Sequence, residues 1–93
     1  MHNYMARVEQ AVKDNVAVGG VRVLGIIEVE VTERKDYWER MYYVAWCNKT
    51  ECGTHRVSID SKGRSALFYG TYQMKADEAV ADMIERSGMA DLR

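Results

Sequence analysis

Cys47, Cys52 and His55 stand at Cys-x4-Cys-x2-His spacing inside WCNKTECGTH, residues 46–55. Three chemistries use such a set: zinc ligation, a crosslink, and nucleophilic attack by a thiol next to an imidazole. A structural zinc site needs four ligands, so His2, an acid or water would have to complete this one. A three-ligand site with bound water needs a general base beside it, and Glu51 is the only acid in the loop. A disulfide between Cys47 and Cys52 fits the end of a hairpin. A Cys52–His55 pair would lie on or beside a turn, with no third group to orient the imidazole. The composition of NKTECG, residues 48–53, is that of a turn. The expected reading is therefore a hairpin end, with Cys47 as a small strand hydrophobe. On this reading no metal site is expected, and Cys47, Cys52 and His55 are the residues that would form one.

The other signatures of common chemistry are missing from the sequence. It has no Gly-x4-Gly-Lys loop, no Gly-x-Gly-x-x-Gly, no Gly-x-Ser-x-Gly and no His-Glu-x-x-His. The acidic pairs Asp77/Glu78 and Glu28/Glu30 suit a helix start and a solvated strand face. A non-catalytic protein with no cofactor is the expectation.

The 93 residues suit one domain, residues 1–93, and 47% apolar with 29% charged residues is a globular balance. The net charge of −1 gives no global attraction to a polyanion. No apolar run is long enough to span a membrane, and the first residues carry no signal-peptide pattern. The expected location is the cytoplasm, a reducing compartment in which disulfides rarely persist. Under that expectation the Asn48-Lys49-Thr50 glycosylation pattern has no role.

Periodicity organises the rest. Met5, Val8, Val12 and Val16 form a helical stripe over residues 4–18, with Asn3 as N-cap and Gly19-Gly20 as the stop. Residues 21–31 alternate as a strand, with Val21, Val23, Ile27, Val29 and Val31 on one face and Gly25 in register. Gly25 there signals a bulge or a close backbone approach. Residues 32–37 read as a polar connection. A second strand, 38–47, is apolar on both faces. Such a strand is either central and covered twice or leaves one adhesive face. Residues 54–60 and 64–73 give two more strands around a turn at 61–63. Residues 75–87 give a second helix with stripe Ala76, Ala79, Val80, Met83 and Ile84. Short connections imply an antiparallel meander. The predicted fold is α+β: a four-stranded antiparallel meander with both helices packed on one face, in the order α-β-β-β-β-α.

That arrangement would leave aromatic residues outward. If both helices cover one side, either Tyr42/Trp46 or Met41/Tyr43 is presented, and so is either Phe68/Tyr72 or Leu67/Tyr69. Exposed aromatics beside arginines make interface cores. Arg40, Tyr42, Trp46, Arg56, Arg64 and Tyr69 are accordingly the expected partner-binding residues.

Residues 42–86 run strand, strand, strand, helix. Within them YGTYQMKADEAVADMI, Tyr69 to Ile84, resembles the last strand and helix of AP2-type and integrase arm-type DNA-binding domains. The resemblance covers about half the chain, departs in spacing by one residue and lacks the dense Arg/Trp sheet pattern of those domains. It implies a sheet that reads the major groove, with Arg40, Arg56, Arg64 and Trp46 at the contact.

The expected function is docking on a larger macromolecule, a host protein or a nucleoprotein complex, without membrane association. Chains this small without a cofactor motif are frequent among phage and mobile-element accessory proteins that inhibit host machinery, the anti-CRISPR type included. A nucleic-acid-binding module on the same sheet is the alternative, and a zinc- or thiol-dependent enzyme the third reading. A homodimer is compatible with all three.

Overall fold

Asn3 begins the first helix: its Oδ1 accepts the Ala6 N–H at 3.0 Å, replacing a partner that the first turn lacks. The computed structural model describes residues 3–16 and 19–88. They form α1 (Tyr4–Asn15), β1 (Arg22–Arg34), β2 (Tyr37–Cys47), β3 (Cys52–Asp60), β4 (Ser65–Met74) and α2 (Ala76–Arg86). The order α-β-β-β-β-α is the one expected. The four strands pair consecutively and antiparallel as β1-β2-β3-β4. No helix among the described residues is long and apolar enough to cross a membrane.

Boundaries differ where turns proved shorter than the polar sequence implied. β1 continues to Arg34, so the expected connection at 32–37 is only Lys35-Asp36. β3 begins at Cys52 rather than Thr54. α1 ends at Asn15, and the expected last residue, Val18, lies outside the described residues. The β3–β4 turn is held by Asp60, whose Oδ1 accepts the N–H groups of Lys62 and Arg64, each at 2.9 Å, while Gly63 takes φ +81°. At the last helix, Glu78 reaches back to accept the Lys75 N–H at 2.9 Å.

The helices do not share a face of the sheet; they cover opposite faces. Val8, Ala11 and Val12 of α1 pack with Tyr42, Val44, Trp46, Val57 and Ile59. Ala79 and Met83 of α2 pack with Tyr43 and Ala45. Alternation along β2 puts those two sets on opposite sides. This corrects the one-face expectation, and the cause is β2 itself. Both of its faces are apolar, and each needs its own cover to leave water.

β1 departs from simple alternation for a related reason. Its pairing with β2 shifts register between Val23 and Gly25 and again between Glu28 and Glu30. Each bulge reverses the parity of the residues after it. Val21, Val23 and Ile26 therefore join the α1 side, while Leu24, Ile27 and Val29 join the α2 side. Gly25 marks both a bulge and a close approach, because a Cβ there would meet the Met83 Cε at 2.9 Å.

Candidate functional site

The antiparallel register places Cys47 directly opposite Cys52, with Cα atoms 3.9 Å apart, and the two are joined by a disulfide. Cys47 is thus not the free strand hydrophobe expected from the turn composition. A bonded pair offers no thiolate to a metal or a substrate. The three candidates also diverge. Cys52 packs in the α2-side cluster, whereas His55 reaches Trp46 and Tyr72 on the α1 side. Among the described residues no group of three or more His, Cys, Asp or Glu gathers as a metal site, and His2 lies outside them.

The expected partner-binding residues separate into buried and exposed. Tyr42 and Trp46 are fully buried beneath α1. Their expected outward presentation is overturned, because the second helix covers the face that a one-face arrangement would have left open. Burial, followed by the charge of Glu28, pushes the Tyr42 phenol up to about 12. Each of the three predicted arginines has a carboxylate partner. Arg40 pairs with Glu28 at 2.6 Å and lies 4.2 Å from the Tyr4 ring centroid. Arg64 pairs with buried Asp60 at 2.7 Å. Arg56 pairs with Glu30 at 3.2 Å. Burial alone would raise the Asp60 carboxyl, but the Arg64 and Lys62 contacts hold it below the ordinary carboxylate range. The resemblance to DNA-binding domains implies one wholly free sheet face, but α1 covers one face and α2 covers part of the other, leaving Phe68 and Tyr69 of β4 exposed.

Tyr69 is the expected residue that does stand outward. It is 68% exposed, beside Phe68 at 39%. Between the Arg56↔Phe68 and Thr54↔Thr71 pairs, β3 advances two residues and β4 three. The extra residue is accommodated with Tyr69 at φ +51°. The Tyr69 carbonyl accepts from Arg86 Nη2 at 2.6 Å, which ties the bulge to α2. Arg86 Nη1 in turn donates to Thr54 Oγ1 at 2.9 Å, and Thr54 donates to Asp82 at 2.6 Å. The bulge is therefore held by a polar network rooted in the buried Thr54.

Under this bulge lies a shallow cleft of about 270 Å³ lined by Met41, Arg56, Phe68 and Tyr69. Arg56 Nη2 meets the Met41 sulfur at 3.0 Å, and its guanidinium lies 5.6 Å from the Tyr43 ring centroid. Arg86 stacks on the same ring at 5.1 Å. Two arginines thus flank the buried Tyr43 ring, and Met41, Arg56, Phe68 and Tyr69 line the cleft beside it. Met41 and Phe68 were not among the predicted site residues. Their signal was present in the alternation of β2 and β4, but it required knowing which part of its face α2 leaves uncovered.

A second constellation lies on the α1 side. Trp46 Nε1 donates to His55 Nδ1 at 2.9 Å, and His55 Nε2 lies 2.9 Å from the Tyr72 hydroxyl. Burial lowers the His55 pKa, and the nearby charge of Arg86 lowers it further, so the ring is neutral at pH 7. These groups line a cleft of about 220 Å³ together with Glu51 and Asn48.

No family model, no curated protein and no solved structure matches this chain.

Proposed function

We propose that this chain is a non-catalytic docking domain that binds a larger protein through the surface formed by Met41, Arg56, Phe68 and Tyr69. One observation carries the reading: the most exposed large aromatic residue, Tyr69, sits at positive φ in a bulge. A left-handed backbone costs a non-glycine residue roughly 1–2 kcal/mol. Glycine or asparagine would fill the position at lower cost, and a ring left in water returns none of it. Strain held by the surrounding structure and spent on an outward aromatic is the signature of a contact residue. Phe68, Met41 and Arg56 supply the composition that interface cores favour.

Protein is favoured over nucleic acid because Arg56, Arg40 and Arg64 are already paired with carboxylates on a chain of net charge −1. Phosphate neutralisation, the main source of non-specific nucleic-acid affinity, has little to draw on here. Inhibition of host machinery is a narrower form of the same proposal, and the identity of the partner decides it. The test is capture from bacterial lysate by tagged protein, with nuclease-treated and untreated halves, beside the Tyr69→Asn variant. The proposal expects one dominant protein in both halves that is depleted with Tyr69→Asn. A signal abolished by nuclease, or one that Tyr69→Asn leaves intact, contradicts it.

A further inference from the structure

The hydrogen bonds around His55 leave no freedom in where the protons sit. An indole N–H only donates, so Nδ1 of His55 must be the acceptor. In a neutral imidazole the proton is then on Nε2, which donates to the Tyr72 oxygen. Tyr72 keeps its own proton for a third partner, and the residue is 51% exposed and lines the cleft. In the same cleft Glu51 Oε1 accepts the Gln73 N–H at 2.7 Å. Its other oxygen has no partner among the described residues. The wall thus offers one oriented hydroxyl donor and one carboxylate acceptor.

We infer that the Trp46–His55–Tyr72–Glu51 cleft is a binding site for a primary carboxamide. Its carbonyl would accept from Tyr72 and its NH2 would donate to Glu51. The alternatives fit less well. A carboxylate or phosphate would meet the Glu51 charge, and an ammonium group would leave the Tyr72 proton without an acceptor. The backbone is also shaped to this cluster. A Cβ on Gly70 would fall 2.6 Å from both His55 Nε2 and the Tyr72 hydroxyl, so β4 can approach the pair only at glycine. The cleft is on the α1 side, opposite the Phe68–Tyr69 surface, and the inference stands independently of that surface.

The carboxamide could be a glutamine or asparagine side chain of a partner or a small molecule. The probes are N-acetylglutamine methylamide for the first source and nicotinamide for the second. N-acetylglutamate methylamide and nicotinate are their carboxylate counterparts. Binding is read by NMR from the Trp46 indole N–H, assigned with a Trp38→Phe variant, in the wild type and in Tyr72→Phe. The expected result is a saturable shift with at least one amide, weakened about five-fold or more by the carboxylate exchange and by Tyr72→Phe, the loss of one hydrogen bond. Which amide binds identifies the source. No saturable shift with either amide, equal binding of the carboxylates, or unchanged binding by Tyr72→Phe overturns the inference.

Discussion

The Trp46 indole N–H is bonded to His55 Nδ1 at 2.9 Å across the β2–β3 pair, and both residues are buried. Protonating His55 would break this bond and place a charge in the core. The folded pKa lies below the unfolded value of about 6.5, so the unfolded chain binds the proton more readily. Stability is therefore complete above about pH 6.5 and falls as pH drops below it toward the folded pKa. His55→Gln should lose stability at neutral pH yet show a flatter profile as pH falls below about 6.5. Urea midpoints of both proteins across that window check this. A wild-type slope retained in the variant would assign the titration to another group.

Two glycines separate backbone necessity from side-chain accommodation. A Cβ on Gly53 would collide with the Thr71 carbonyl and lie 2.8 Å from the Trp46 ring. Neither can move without opening the β3–β4 ladder or the core. A Cβ on Gly25 meets the end of Met83, a flexible side chain. Gly53→Ala should cost about 3 kcal/mol or more, and Gly25→Ala about 1 kcal/mol or less. Chemical denaturation of the two variants should preserve that order.

Reduction of the Cys47–Cys52 bond should weaken the fold without abolishing it. The bond closes a loop of sequence separation 5, and the chain-entropy relation gives about 2 kcal/mol for so short a loop. The sheet retains its other pairings and both covering helices. Denaturation with and without a phosphine reductant, with alkylation to confirm the thiols, measures the difference. Unfolding on reduction would mean that the hairpin end carries more of the fold than its contacts indicate.

Much of this architecture is legible in the residues. The Val8–Val12 stripe, the Ala79–Met83 stripe and the glycine- and asparagine-bearing turns locate all six elements, and short connections fix the meander. The placement of the helices was not legible from periodicity alone. β2 is apolar on both faces, which is what two covers require, yet neither helix states which face it takes. The bulges in β1 hid the true faces, since a single inserted residue reverses every side chain after it. The same limit applied to the surface. Tyr69 and Arg56 could be named from composition, but buried Trp46 and Tyr42 have the same residue types. Nothing in local sequence announces a tyrosine at positive φ, because that conformation is imposed by Arg86 and the β3 ladder. The disulfide follows from register, which places Cys47 and Cys52 opposite one another only once β3 is known to start at Cys52.

On the docking proposal, Tyr69 is kept for contact at the expense of its backbone. The most direct measurement pairs unfolding stability with affinity for the captured protein in the Tyr69→Asn variant, with Phe68→Ala alongside. Asparagine tolerates the left-handed region, so stability should stay within about 1 kcal/mol of wild type or rise. Affinity should fall by about 2 kcal/mol or more, roughly 30-fold. Unchanged affinity, with stability lost instead, would make Tyr69 a structural residue and contradict the docking surface.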